Sequence, residues 1–227
     1  MKISDHYLTN VKILRDVDRA MPLSPNLVPG NVVYDESLLE IDNIEWRTWD
    51  PYRSKFAAGI MNEMRHLPQL VGQRVLYLGA AAGTTPSHFS DVIGTEGWLY
   101  GVEVSKRAAK KLYEVGKPRG NFIPIVADAH YPEYYSDVVD GCVDVVYQDI
   151  SQPDQTEIFI RNVHAFLKPD GIGVLAVKSQ SIDSAKKPRQ VFREQEEILR
   201  NHNFKVIEST SIERFERAHC IIVVQYR

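Results

Sequence analysis

The sequence predicts an α/β, Rossmann-like fold: a mostly parallel sheet flanked by helices, with an antiparallel hairpin at one edge and a small β-rich appendage at the N-terminus. Three observations predict it. From Arg74 onward, short apolar runs alternate with amphipathic segments, the pattern of βα units. The first run, Val75–Leu78, breaks into a glycine–alanine loop, Gly79–Gly83, where a helix is due to start. The last two runs, Phe204–Ser209 and Cys220–Tyr226, have only a polar loop between them, so they pair as a hairpin.

The chain of 227 residues is 44% hydrophobic and 25% charged, enough for a sizeable core. It has no apolar run of membrane-spanning length, and Met1–Asn10 is too polar for a signal peptide. Cys142 and Cys220 each sit in an apolar run outside any CxxC motif, which predicts reduced core thiols, a cytoplasmic protein and no metal site. A net charge of −3 argues against holding nucleic acid by bulk electrostatics.

Residues 1–50 form the predicted appendage. Short β-like runs at Val11–Leu14, Asn31–Tyr34 and Leu38–Ile41 are broken by Pro22, Pro25, Pro29 and Gly30. Residues 51–227 form the main domain. A helix over Lys55–Arg65 carries an apolar face of Phe56, Ile60, Met61 and Met64, with Asp50 or Ser54 as its cap. Lys55 falls in the first turn, beside the positive end of the helix dipole, which hints at a use elsewhere; an ordinary solvated lysine is the alternative. The loop Gly79–Gly83 offers backbone freedom and close approach for a ligand. Thr84 and Thr85 supply capping hydroxyls, and Pro86 suits a first turn. The strand Trp98–Val102 ends on Glu103, about 20 residues past the loop, where an acid can bind both ribose hydroxyls. The loop lacks the lysine of a phosphate-binding loop and misses GxGxxG spacing, which disfavours nucleotide hydrolysis and a dinucleotide. A tight βα turn without a ligand is the alternative.

Beyond Glu103 the expected elements are a helix over Lys106–Val115, strands at Phe122–Val126, Val143–Tyr147 and Ile172–Val177, and helices at Asp154–Phe166 and Pro188–Arg200. Successive strands end on Gly79, Glu103, Asp128, Asp149 and Lys178. One such residue is routine capping. Five in order along the carboxyl edge of a parallel sheet predict a binding site there. Two clusters, Lys106, Arg107, Lys110, Lys111, Lys117 and Arg119, and Lys186, Lys187, Arg189 and Arg193, are RNA-facing patches or solvated helix faces.

With those residues in hand, the chain resembles the fibrillarin family, especially its archaeal members, over nearly its whole length. The motifs are Trp49–Lys55, Val75–His88, Tyr100–Glu103, Asp149–Pro153 and Lys178–Asp183. The resemblance implies a class I S-adenosylmethionine-dependent methyltransferase that methylates the ribose 2′-hydroxyl of rRNA, and of tRNA, as the catalytic subunit of a box C/D guide-RNA particle. Its implied partners are a Nop-type scaffold protein, a kink-turn-binding protein of ribosomal type, the guide RNA and the target RNA. Cofactor positions carried over are Gly79, Ala81, Gly83, Thr84, Thr85, Glu103 and Val104, then Asp128 and Ala129 at the adenine, with Asp149, Ile150, Ser151 and Gln152 toward the methionine end. The implied catalytic group is Lys55, Asp149, Lys178 and His219. Departures from the family pattern are Ser151 for alanine, Ser179-Gln180 for Ala-Arg, and Glu213–His219 for Asp-Pro-Phe-Asp-Arg-Asp-His. These keep open a scaffold subunit with reduced catalysis, or a methyltransferase acting on protein glutamine or a small molecule. For the chemistry, Lys178 is expected at the centre, as neutral base or as cation beside the alkoxide, with Asp149 orienting it and Lys55 tuning it or binding RNA.

Overall fold

The computed structural model describes residues 2–17 and 19–226. Strands β1 (Lys2–Asp5), β2 (Lys12–Arg15), β3 (Ala20–Pro25), β4 (Leu38–Ile41) and β5 (Ile44–Thr48) form an antiparallel sheet in the order β1-β2-β3-β5-β4. The run Asn31–Tyr34 is not a strand. There the Glu36 carboxylate accepts the N–H groups of Val33 and Tyr34, at 2.9 and 2.8 Å, so local bonds replace a ladder. Strand β3 forms despite Pro22 and Pro25, and the Pro22 carbonyl accepts the Trp49 N–H.

Helix α1 covers only Lys55–Met61, capped by the Ser54 hydroxyl, which accepts the Ala57 N–H. Asp50 instead accepts the N–H of Tyr52. The helix stops short of Arg65 because Glu63 takes a left-handed φ of 60° and the Glu208 carboxylate accepts the N–H groups of Arg65 and His66.

The main sheet holds β6 (Arg74–Leu78), β7 (Trp98–Glu103), β8 (Phe122–Val126), β9 (Val143–Gln148), β10 (Leu167–Lys178), β11 (Phe204–Ser211) and β12 (His219–Tyr226). Their order is β11-β12-β10-β9-β6-β7-β8, parallel from β10 to β8, with β12 antiparallel to both β10 and β11. The helices are α2 (Thr84–Ile93), α3 (Lys106–Gly116), α4 (Gln155–Phe166), α5 (Ser179–Ile182) and α6 (Pro188–Asn201). Two cores explain the continuous apolar strands. Val75 and Tyr77 of β6 join the core shared with α1, α2 and the N-terminal sheet, while Leu76 and Leu78 join the core under α4 and α6. Among the described residues no helix is long and apolar enough to cross a membrane.

The two sheets are joined by buried charge. The fully buried Arg47 guanidinium pairs with Glu36, with Asp91 of α2 at 2.5 Å and with the Ser87 hydroxyl at 3.0 Å. Asp91 also pairs with Arg119, at 3.4 Å. Arg119 is therefore a buried strut and no part of a surface patch; Asp91 and Gly116 draw it inward, its N–H bonding the Gly116 carbonyl. Cys220 is buried as expected, but Cys142 is exposed, because Gly141 turns the chain just before β9 begins.

Removing one partner from a buried ion network leaves its counter-charges desolvated and unpaired. Arg47→Ala is expected to cost about 3–5 kcal/mol, read as a lowered midpoint in chemical denaturation; a loss no larger than that of a surface substitution contradicts this account.

Candidate functional site

Strands β6 and β9 are neighbours whose following segments leave in different directions, which opens a crevice at their carboxyl ends. Gly79, with φ of 82°, sits at the fork. A Cβ built on it falls on the Asp149 carbonyl. The glycine is thus demanded by close approach of the protein's own backbone and by its left-handed φ, the backbone freedom that the sequence predicts. Gly83 caps α2 in a left-handed conformation, its open side facing Val115, and neither Thr84 nor Thr85 caps the helix.

A cleft of about 400 Å³ lies beside this fork. Of the residues predicted to bind cofactor, Gly79, Ala81, Glu103, Val104, Asp128, Ala129 and Asp149 through Gln152 line it. Thr84 and Thr85 line a second depression across the loop, shared with Gly79, Ala81 and Asp149 and joined by Arg53 and Tyr77. Gly83 lines neither. Glu103 is fixed at both oxygens: Oε2 accepts the Ala81 N–H at 2.8 Å and Oε1 the Ser105 N–H at 2.7 Å. Each oxygen keeps a second lone pair for a hydroxyl.

Sequence reasoning passed over His130, which closes one end of the cleft. Its Nδ1 lies 2.7 Å from Asp128 and its Nε2 3.2 Å from Asp154. The hydrogen bond to Asp128 and the charges of both aspartates raise its pKa against a smaller effect of burial. Its spacing, two residues past Asp128, was the available signal.

The four residues proposed for chemistry gather at the next part of the edge. Ser54 capping and the turn of α1 bring Lys55 Nζ to 2.9 Å from Asp149 and 3.3 Å from Glu216. Burial depresses the Lys55 pKa, but Asp149 and Glu216 outweigh it and the net shift is upward. Lys55 is a fixed cation. Asp149 is paired with it, where Lys178 was the expected partner. Among the described residues, Lys178 has no ion-pair partner; its position is set by the register pair Lys178–His219 between β10 and β12. His219 Nδ1 lies 2.7 Å from the Arg217 carbonyl, which assigns the proton to Nδ1. Burial lowers the His219 pKa, with Lys55 adding to it, and together they override the Arg217 carbonyl, Glu216 and Asp149. Glu216, 3.3 Å from both His219 Nε2 and Lys55 Nζ, is a further neighbour whose place the sequence order does not give.

Two of the departures from the family pattern, Ser179 and Ala218, are matched to each other. Ala218 takes a left-handed φ of 59°, and the buried Ser179 bonds its carbonyl through both hydroxyl and N–H, at 3.1 Å each.

Comparison with known proteins gives one family. The family model described as Fibrillarin matches residues 3–227. The chain is 48% identical over 92% of its length to a fibrillarin-like rRNA/tRNA 2′-O-methyltransferase of Methanopyrus kandleri, covering 89% of that protein. It is similar to the crystal structure of Aeropyrum pernix fibrillarin in complex with natively bound S-adenosyl-L-methionine (TM-score 0.89, 37% identity, 99% and 98% of the two chains). It is similar also to a fibrillarin/Nop5p complex structure (TM-score 0.84, 38% identity, 98% and 100%). With its mostly parallel seven-stranded sheet, its polar carboxyl edge and a match along nearly its full length, the chain belongs to the fibrillarin family.

Proposed function

We propose that this chain is the S-adenosylmethionine-dependent ribose 2′-O-methyltransferase of a box C/D guide-RNA particle, acting on rRNA and tRNA. The observation that carries the reading is the junction at Asp149. Its main chain and neighbours line a nucleoside-sized cleft, and its carboxylate holds a lysine at the rim. A Nop-type scaffold, a kink-turn-binding protein and the guide RNA complete the particle. Guide pairing supplies target choice, in keeping with a chain whose net charge is −3.

The residues present fit the cofactor. The free lone pairs of Glu103 suit the two ribose hydroxyls, and the exposed apolar Val104 with Ile150 suits the faces of a purine. Asp128 and Ala129 would hold the adenine edge; Gly79, Ala81, Asp149, Ser151 and Gln152 would hold the rest, with Gly83 shaping the loop and Thr84 and Thr85 at the methionine end. When bound, S-adenosylmethionine supplies a methyl group on an electrophilic sulfonium. The chain's own part is to place the hydroxyl in line and to manage its proton. Lys55, charged and held by two carboxylates, fixes the Asp149 carboxylate at the rim of the cleft and tunes the charge that Lys178 meets there. Lys178 meets the hydroxyl, as a neutral amine that takes the proton or as an ammonium that stabilises the alkoxide. His219, neutral with its Nδ1 proton on the Arg217 carbonyl, has Nε2 as its proton-accepting nitrogen, buried and 3.3 Å from Glu216.

Three outcomes follow. Lys178→Ala lowers the single-turnover methylation rate of the assembled particle by at least about 100-fold with cofactor affinity by calorimetry unchanged; a near-normal rate overturns the assignment. Glu103→Ala loses a charge-assisted pair of hydrogen bonds and weakens cofactor binding by about 10-fold or more. Because the His219 pKa lies below the ordinary 6.5, activity is kept down to that value and lost only as falling pH protonates Nε2. His219→Gln removes that acid limb, and a limb above 6.5 that survives the substitution speaks against His219 as its source.

A further inference from the structure

At the carboxyl end of β10 the ladder to β9 finishes at Leu175–Gln148, three residues before Lys178. On its other edge Lys178 is still paired to His219 of β12. The open edge is completed by a side chain. Gln155, the first residue of α4 and fully buried, accepts the Lys178 N–H on Oε1 at 3.0 Å. Its Nε2 donates to the Lys178 carbonyl at 3.4 Å and to the Gln152 carbonyl at 2.8 Å. A carboxamide that takes the N–H and offers its own N–H to the same residue's carbonyl does what a neighbouring strand would do. Gln155 is itself held, since its carbonyl accepts Nε2 of the fully buried Gln148, the last residue of β9, at 2.6 Å.

We propose that Gln155 is a positioning residue for methyl transfer, fixing the Lys178 backbone against the Asp149–Gln152 segment so that the amine meets the hydroxyl at the cofactor. The inference rests on the reading of Lys178 given above. It follows from geometry: Asp149 is engaged by Lys55, so no ion pair holds Lys178 in place. The side chain of Lys178 is therefore only as well placed as its main chain, and Gln155 is the link that ties that main chain to the cofactor segment. Burial makes the link specific. A buried carboxamide whose three hydrogen bonds are matched in direction cannot be exchanged for a carboxylate, whose second oxygen would face the carbonyls of Gln152 and Lys178.

The test uses the assembled particle with labelled S-adenosylmethionine at saturation. Gln155→Ala is expected to slow single turnover by about 10–100-fold, the order expected for lost orientation, with the KM for RNA unchanged. Gln155→Glu is nearly isosteric and reads the mechanism directly. Its buried carboxyl titrates high, and once protonated it again donates to one carbonyl while accepting the Lys178 N–H. The rate of Gln155→Glu relative to the unsubstituted particle therefore rises as pH is lowered from about 8 to about 6. A relative rate independent of pH, or a Gln155→Ala rate near normal beside a slow Lys178→Ala, overturns the inference and leaves Lys178 in its role. A near-normal rate for Lys178→Ala overturns both. If Gln155→Ala fails to fold, the pH dependence of Gln155→Glu alone decides.

Discussion

The site depends on one steric constraint, the packing of the Asp149 backbone against Gly79. Strands β6 and β9 run side by side as far as Leu78 and Gln148, and the Asp149 N–H still bonds the Leu78 carbonyl. Beyond that bond the chains must part, and only a residue without a Cβ leaves room for the Asp149 carbonyl. The parting opens the cleft on one side and aims the Asp149 carboxylate at Lys55 on the other. The cleft and the Lys55–Asp149 pair therefore share a single stretch of backbone. A shift there moves both, which is why a small displacement would be felt as a large loss of rate.

The N-terminal sheet serves the same end from a distance. Arg47 anchors β5 to α2, and two residues later the fully buried Trp49 stacks on His88 of α2 at 4.8 Å and on Phe56 of α1 at 5.7 Å. His88 is held neutral by burial, with Arg47 and Arg119 adding to it, and bonds Ser24 at 2.7 Å and Tyr34 at 2.6 Å. The segment from Trp49 to Lys55 is thus clamped at both ends. The locally unfavourable lysine in the first turn of α1 is compensated by Asp149 and Glu216.

Much of this was legible in the sequence. Apolar runs buried on both faces identify parallel strands, and polar residues at their ends fall on one edge because a parallel sheet puts all carboxyl ends together. What escaped depends on contacts between distant segments. The bend at Tyr34 is set by Glu36, and the early end of α1 is set by Glu208, far along the chain. Arg119 reads as surface charge until Asp91 is seen beneath it. The exchange of partners at Asp149, from Lys178 to Lys55, needs the third dimension, since all three residues lie at element ends and any pair looks equally plausible from the order alone.

The placement of β12 has a consequence in time. This strand is the last made, yet it lies inside the sheet, between β11 and β10, and it delivers His219 opposite Lys178. Every residue lining the cleft beside Gly79 precedes it in the chain. A domain generally folds as a unit, and β12 carries Cys220–Val224 into both apolar cores, so the crevice is completed only once the last residues have left the ribosome. A chain that stops before β12 would leave β10 and β11 without the strand between them, so the cleft and the Lys178–His219 pair arise in one step.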